Sequence, residues 1–145
     1  MLQEFLSKKN YLKIKLHLSK SNHFEVIVKL NGIKGLFILD TGASNSCVDS
    51  KCAHLFKLIV KPSDVKAAGA GANNMITQQS VKNKLTIGKW EKNNINVVIF
   101  SLIHVNAALI DHNARPIHGI IGSDILKKGK AIIDYDKKYL YLRHS

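Results

Sequence analysis

The chain has 145 residues, of which 46% are hydrophobic. It is long enough to bury one core but too short to divide comfortably into two domains. We therefore expect one domain over residues 1–145, with its core at about 24–143. Apolar residues are spread along the whole length, which excludes a disordered or low-complexity protein. Lys and Arg outnumber Asp and Glu by 22 to 10, and no apolar run approaches the roughly 20 residues of a membrane-spanning helix.

Three strands are predicted before residue 40. Residues 11–18 place apolar side chains at every even position, which is the period of a half-buried strand, and residues 24–30 repeat this pattern. Asn31-Gly32 follows, a pair that tolerates the positive φ angles of a tight hairpin turn. The next strand, residues 36–39, runs straight into Asp40.

A short helix and a small-residue loop are predicted next. Ser50 is a plausible helix cap before residues 51–57, where Ala53, Leu55 and Phe56 could turn an apolar face inward. Residues 67–74 combine alanines, asparagines and two glycines, which is typical of a loop and not of a packed element.

The second half reads as further strands at residues 81–87, 95–103 and 117–121. Ser123-Asp124 can cap a second short helix through Lys128, and residues 131–135 with 139–142 predict a closing hairpin. Many short strands and two short helices indicate a mainly β domain.

The predicted strand at 36–39 is followed directly by Asp40-Thr41-Gly42-Ala43-Ser44. The rigid strand would hold the Asp40 carboxylate in place, and Gly42 permits a sharp turn after it. Taken alone, such a triplet is commonly no more than a turn, because Asp, Thr and Gly are all turn residues. Further along, residues 119–126 read Gly-Ile-Ile-Gly-Ser-Asp-Ile-Leu, and residues 131–135 read Ala-Ile-Ile-Asp-Tyr.

Together these segments resemble the retropepsin-like aspartic proteases, in that family's order, over roughly residues 24–143. Residues 36–44 resemble the active-site loop, residues 119–126 the later apolar segment with its helix, and residues 67–74 lie where the family keeps its substrate-covering flap. The resemblance implies an all-β, closed β-barrel-like acid protease fold and an endopeptidase that cleaves peptide or protein substrates without a cofactor.

The resemblance also assigns roles. Two carboxylates sharing one proton activate a water, and because this chain has one Asp-Thr-Gly, a homodimer with two copies of Asp40 is expected. Thr41 would link the two loops by hydrogen bonds, Gly42 would let the backbone approach the neighbouring carboxylate, and Ala43 and Ser44 would complete the loop. Of the flap, Gly69, Ala70 and Gly71 are the expected substrate-binding residues. We expect the strands at residues 11–18 or 139–142 to form the seam between chains.

Other polar and aromatic residues have structural interpretations. Asp124 is expected to cap a helix and not to serve as a second acid, and Ile120, Ile121 and Gly122 to pack beneath the active-site loop. Trp90 is expected to be a packing anchor. Cys47, Cys52 and His54 match no strong zinc pattern, so we expect reduced thiols and no metal site.

Two other functions stay open. A protein of the same fold could bind peptides without cleaving them. A basic nucleic-acid-binding domain is the other alternative, because a net charge of +12 attracts polyanions. However, 20 of the basic residues are scattered lysines, which lack the planar fork of Arg, so no specific nucleic-acid partner is expected. Residues 1–20 carry alternating lysines where a secretory signal needs an apolar run, so we expect a cytoplasmic protein without a membrane partner.

Overall fold

The computed structural model describes residues 1–67 and 75–144, which are mostly β-structure. The strands are β1 (Tyr11–Lys15), β2 (His17–Leu18), β3 (Phe24–Leu30), β4 (Ile33–Leu39), β5 (Cys47–Asp49), β6 (Lys61–Ala67), β7 (Met75–Ile87), β8 (Trp90–Phe100), β9 (Gly119–Ile121), β10 (Ile132–Asp134) and β11 (Tyr139–Arg143). The α-helices are α1 (Leu2–Ser7), α2 (Ile103–Asp111) and α3 (Ser123–Lys128), and a 3-10 helix covers Ser50–Cys52.

The larger sheet closes on itself as a barrel. Its strand order is β2-β3-β4-β9-β5-β8-β7-β6, and an additional pairing of β3 with β7 joins six of these strands into a ring. Closure removes the exposed edges that an open sheet would present. The predicted closed all-β fold is therefore confirmed.

Alternating side chains build the barrel core. Val26, Val28 and Leu30 of β3 are almost fully buried and pack in one cluster with Phe37 and Leu39 of β4. The turn between these strands has positive φ angles at Asn31 and Gly32, 53° and 83°. The predicted hairpin is thus formed by residues that adopt this backbone with little strain.

A second sheet of three strands has the order β1-β11-β10. β11 is its central strand, and Leu140 and Leu142 from one face are buried in the barrel core. Trp90 is also fully buried, and its indole Nε1 donates to the Arg143 carbonyl at 3.1 Å. The expectation that Trp90 anchors packing is confirmed, whereas β11 is paired on both sides within one chain and is not available as a seam between chains.

Several predicted element bounds differ from the structure. The strand expected at 11–18 is interrupted at Leu16, which is buried and whose N–H donates to the Lys138 carbonyl at 2.9 Å. The strand expected at 95–103 ends at Phe100, and α2 follows. The helix expected at 51–57 is reduced to one 3-10 turn, and its cap is not Ser50: the Asp49 side chain accepts from the Lys51 N–H.

None of the helices in the described part of the chain is both long and apolar enough to span a bilayer.

Candidate active site

Asp40 lies at the mouth of the barrel where β4 ends. β4 runs parallel to β9 with Leu39 opposite Ile121, and the Asp40 N–H donates to the Ile121 carbonyl at 2.9 Å. The backbone of Asp40 is therefore fixed by the sheet although the residue itself is exposed. This arrangement presents a carboxylate to solvent from a rigid support.

The turn after Asp40 orients its carboxylate. The Gly42 N–H donates to Asp40 Oδ1 at 2.9 Å, and the Ala43 N–H donates to the Asp40 carbonyl at 3.1 Å. A Cβ added at Gly42 would lie 3.3 Å from Asp40 Oδ1, so a side chain there would press on the carboxylate. Glycine thus keeps the N–H close to one carboxylate oxygen.

A buried network holds this turn against the start of α3. The Ser46 hydroxyl donates to Asp124 Oδ1 at 2.7 Å and accepts from the Gly122 N–H at 2.7 Å. The Ser46 N–H also donates to the same carboxylate, at 3.0 Å to Oδ1. The Asp40 turn is consequently tied to β9 and α3 by charge-assisted bonds.

Asp124 is therefore not the helix cap that the sequence suggested. α3 is capped at Gly122 without a side-chain bond, and Asp124 lies inside the first turn. Its Oδ1 accepts from the Ile125 N–H at 2.8 Å, but its other bonds go to Ser46 on a distant loop. The expectation of a structural carboxylate holds, while its partner was wrongly assigned.

Ile120, Ile121 and Gly122 support the turn as expected. Ile120 and Ile121 are buried in two adjoining core clusters, and a Cβ added at Gly122 would lie 2.6 Å from the Ala43 carbonyl oxygen. The Ser123 N–H donates to that same carbonyl at 2.7 Å. Only glycine at position 122 permits this close approach of two backbone segments.

An apolar pocket of about 300 Å³ adjoins Asp40, and we call it the Asp40 pocket. Its walls come from β4, β9, α2 and the segment before β3. The lining residues are Ser21, His23, Ile38, Asp40, Val105, Ala108, Leu109, His112 and Ile120. A cavity of this size can hold a large apolar side chain beside the carboxylate.

Helix α2 was not anticipated from the sequence, yet it forms one wall of the Asp40 pocket. Its buried Leu109 packs into the second core cluster, and Asn106 exchanges two hydrogen bonds with the backbone of Ile117, at 2.7 and 3.1 Å. Asp49, 5% exposed, accepts from the Leu102 N–H at 3.3 Å where the helix begins. These contacts position α2 as a wall of the pocket. In the sequence, the one sign of the change from β8 to α2 is Ser101, a polar residue that interrupts the apolar run.

Two histidines lie at the rim of the Asp40 pocket. His112 Nδ1 donates to the Ala108 carbonyl at 2.8 Å, which places the ring proton on Nδ1 because a carbonyl can only accept. His23 Nδ1 pairs with the Ser21 hydroxyl at 2.8 Å, and Ser21 pairs in turn with Ser19 at 2.6 Å. The rim can therefore offer polar contacts around an apolar floor.

Thr41 lines a different surface from the Asp40 pocket. It borders a shallow depression of about 380 Å³, here called the Thr41 depression. The remaining lining residues are Ser123, Leu126, Lys127, Lys130, Ala131 and Ile133. The exposed residue Thr41 thus shares this depression with residues of α3 and β10.

Cys47 lies beneath the Asp40 turn as a buried, protonated thiol. Its pKa is raised from 9.0 to about 12, chiefly by burial and further by three nearby carboxylates. A neutral thiol is neither a nucleophile nor a good metal ligand. Both cysteines are free thiols, and within residues 1–67 and 75–144 no three or more His, Cys, Asp or Glu side chains are grouped to hold a metal ion.

The structure brings Asp40, Thr41, Gly42, Ala43 and Ser44 together in one turn, as the sequence suggested. The proposed flap residues Gly69, Ala70 and Gly71 lie outside the described residues. The strands on either side of them, β6 and β7, pair antiparallel up to Ala67 and Met75.

Comparison with known proteins agrees with this geometry. A family model described as aspartyl protease matches residues 26–125. No curated protein matches the chain significantly.

Among solved structures, the chain is similar to a retropepsin-like aspartic protease from Rickettsia conorii, with a TM-score of 0.63 and 22% identity over 91% of this chain and 89% of that chain. It is also similar to the EIAV protease in complex with an inhibitor, at a TM-score of 0.52 and 18% identity over 76% and 90% of the two chains. The chain is likewise similar to the retroviral protease-like domain of Ddi1 from Leishmania major, at a TM-score of 0.52 and 16% identity over 83% of this chain and 88% of that chain. The chain belongs to the aspartyl protease family and has the retropepsin-like fold.

Proposed function

We propose that two copies of this chain together form an aspartic endopeptidase, in which Asp40 of each copy supplies one catalytic carboxylate. The observation that carries the proposal is the placement of Asp40, an exposed carboxylate whose Oδ1 is held by the Gly42 N–H at the end of a buried strand. The chain contains a single Asp-Thr-Gly, so a second carboxylate in the same environment requires a second copy.

The proposed chemistry uses one proton shared by the two carboxylates, because like charges at such close range do not both ionise. The ionised carboxylate removes a proton from a water molecule, and the water oxygen attacks the carbonyl carbon of the scissile peptide bond. The protonated carboxylate gives its proton to the carbonyl oxygen. When the tetrahedral intermediate collapses, the C–N bond breaks and the dyad returns a proton to the leaving nitrogen.

The Asp40 pocket supports a peptide substrate with a large apolar side chain next to the cleaved bond. Ile38, Leu109 and Ile120 supply its apolar surface, and its volume of about 300 Å³ suits a residue such as leucine or phenylalanine. In the same proposal, Gly69, Ala70 and Gly71 between β6 and β7 cover the bound peptide as a flap and exclude water.

The test is cleavage of an unfolded protein at several pH values by wild type and by Asp40→Asn. The substitution keeps the size of the side chain but removes the base, so we expect cleavage to fall by at least about 100-fold with an unchanged unfolding transition. Glu91→Gln is the matched control, because it also converts an exposed carboxylate to an amide, at the far β7–β8 turn where Glu91 pairs with Lys84. Asp40→Asn activity close to that of Glu91→Gln would contradict the proposal.

Assembly gives a second test. Specific activity should fall on dilution through the dimer dissociation constant, and an excess of Asp40→Asn should suppress wild type, since a mixed dimer holds one competent carboxylate. Inhibition by a hydroxyl-bearing transition-state mimic such as pepstatin should accompany cleavage. Binding of the mimic without cleavage would favour the peptide-binding alternative, and salt-dependent polyanion binding without cleavage would favour the nucleic-acid alternative.

A further inference from the structure

The rim of the Asp40 pocket carries polar groups that the proposed cleavage chemistry does not use. Two imidazole rings line the pocket from different walls, His23 from the segment before β3 and His112 from just after the end of α2. Among the described lining residues, Asp40 is the one acidic side chain, and the remaining surface is apolar apart from Ser21. The two rings are therefore the groups that can distinguish one large side chain from another.

The ring of His112 presents a hydrogen-bond acceptor. Its Nδ1 donates to the Ala108 carbonyl at 2.8 Å, so in the neutral ring the proton is on Nδ1 and Nε2 carries a lone pair. The backbone N–H of His112 also donates to the carbonyls of Ala108 and Leu109, at 3.3 and 3.1 Å, which fixes the residue at the helix end. A group that donates a hydrogen bond is thus the suitable partner for Nε2.

The ring of His23 presents a donor. Its Nδ1 lies 2.8 Å from the Ser21 hydroxyl, and Ser21 lies 2.6 Å from the hydroxyl of Ser19, which is 8% exposed. Ser19 Oγ accepts from the His23 N–H at 3.2 Å, and in the described part of the chain Ser21 is the one acceptor for the Ser19 hydroxyl hydrogen. Ser19 therefore donates to Ser21, Ser21 donates to Nδ1, and the ring proton of His23 lies on Nε2.

The backbone around both rings is fixed before any ligand binds. The turn at residues 19–23 is closed by the Ser19 N–H, which donates to the His23 carbonyl at 2.9 Å, and by the Asn22 N–H, which donates to the Ser19 carbonyl at 2.9 Å. Within residues 1–67 and 75–144, the Nε2 atom of neither ring has a hydrogen-bond partner. One donor and one acceptor are thus available on two walls of the same pocket, at a low cost in side-chain entropy.

From this pairing we infer that His23 and His112 make the Asp40 pocket selective for tyrosine. A phenol hydroxyl accepts from the His23 Nε2–H and donates to the His112 Nε2, while the aromatic ring covers the apolar floor of the pocket. The inference rests on the proposed function, and it names the side chain that the pocket prefers next to the cleaved bond.

Other large side chains match the pocket less completely. Phenylalanine and leucine cover the apolar floor but give neither Nε2 atom a partner. Glutamine offers a donor and an acceptor but covers less of the floor, and glutamate would approach the Asp40 carboxylate with like charge. Protonation of His112 turns its Nε2 into a second donor, and because a phenol oxygen also accepts, the hydroxyl is preferred over a bare ring in either state.

The test compares substrates that differ only by the hydroxyl. Wild type should cut an unfolded protein next to tyrosine more often than next to phenylalanine, as mass spectrometry of the products would show. For matched peptides with tyrosine or phenylalanine at the preferred position, kcat/KM should favour tyrosine by about tenfold, because each hydrogen bond at a solvent-exposed rim contributes a few-fold. A ratio near one for wild type would overturn the inference.

Substitutions in the rim locate the source of the preference. His112→Phe and His23→Phe keep a ring but remove the acceptor and the donor, so each should lower the tyrosine-to-phenylalanine ratio of kcat/KM by about threefold. His104→Phe is the matched control, because His104 is exposed on α2 and does not line the Asp40 pocket. A general loss of stability would change the rates for both peptides and not their ratio. Rim variants with the same ratio as His104→Phe would contradict the assignment.

Failure of this inference differs from failure of the proposed function. Asp40-dependent cleavage at equal rates for the two peptides would refute the tyrosine preference and leave an aspartic endopeptidase standing. Equal cleavage by wild type and Asp40→Asn, or cleavage by neither, would refute the proposed function and the preference with it.

Discussion

Removing the Ser46 hydroxyl is the sharpest test of how the Asp40 turn is held. Ser46 is 1% exposed, and its Oγ makes two bonds of 2.7 Å, donating to Asp124 Oδ1 and accepting from the Gly122 N–H. Ser46→Ala deletes both bonds but leaves the Ser46 N–H bonded to Asp124. The change therefore tests the two hydroxyl hydrogen bonds separately from the hydrogen bond of the Ser46 backbone N–H.

The cost follows from the two bonds. A hydrogen bond to a charged acceptor contributes about 1.5 to 3 kcal/mol, and a buried N–H left without an acceptor costs about 1 to 3 kcal/mol. We expect Ser46→Ala to lower the free energy of unfolding by about 3 kcal/mol. For a chain of this length that corresponds to a fall in Tm of roughly 6 to 12 °C.

The assay is denaturant unfolding at neutral pH, with thermal unfolding alongside it. Ser44→Ala is the matched control, because Ser44 is exposed two residues earlier in the same turn, and it should change stability by less than about 0.5 kcal/mol. If Ser46→Ala is as stable as Ser44→Ala, the Ser46–Asp124–Gly122 network does not hold the turn and the reasoning fails.

Three further predictions address the surroundings of the site. Between about pH 9 and pH 12, wild type should lose stability with rising pH more steeply than Cys47→Ala, by up to about 1.4 kcal/mol per pH unit. The reason is that the folded Cys47 thiol, with its raised pKa, keeps a proton that the unfolded chain releases. Equal slopes of unfolding free energy against pH, measured by denaturant titration, would contradict this. Arg115→Ala should lower the free energy of unfolding by about 2 kcal/mol, since it removes the 2.9 Å bond to Glu25, which is 2% exposed. In a double-mutant cycle, adding Glu25→Gln to Arg115→Ala should recover part of this loss. Strictly additive effects of the two substitutions would argue against a stabilising pair. Ala108→Phe should fill the Asp40 pocket and raise KM for peptides with a large apolar side chain by about tenfold. The control is Ala107→Phe, which should leave KM unchanged because Ala107 lines a separate groove beside α2. Equal KM values for the two variants would show that the Asp40 pocket does not receive substrate.

Local patterns in the sequence were sufficient for β3, β4 and the Asp40 turn, but not for β5 and β6, which no predicted strand covered. Alternation over residues 24–30 predicts which side chains of β3 enter the core, since successive residues of a strand face opposite sides. Asn31-Gly32 predicts the turn, because both residues tolerate positive φ. The order Asp-Thr-Gly places a carboxylate and a close N–H within three residues, so the geometry is encoded in one short segment.

Features that depend on distant contacts could not be read this way. Residues 97–110 form an almost continuous apolar run, and such a run does not separate a buried strand from a buried helix. The helix is favoured by Asn106 with Ile117 and by Asp49 with Leu102, contacts that local sequence does not reveal. For the same reason the sequence predicts a helix cap at Asp124, although its main partner Ser46 lies 78 residues away.

The central strand of the small sheet belongs to the core of one chain, so its removal is a poor test of assembly. β11 contributes the buried residues Leu140, Tyr141 and Leu142 and pairs with both neighbours, so a chain ending at Asp136 would lose part of its own core and not merely its partner. Inactivity of such a truncation would therefore say nothing about dimerisation. By contrast, Lys130 and Asp136 are exposed and flank the outer strand β10, so substitutions there leave the core of one chain in place. Dilution and mixing with Asp40→Asn therefore test the proposed assembly more cleanly than a truncation that removes β11.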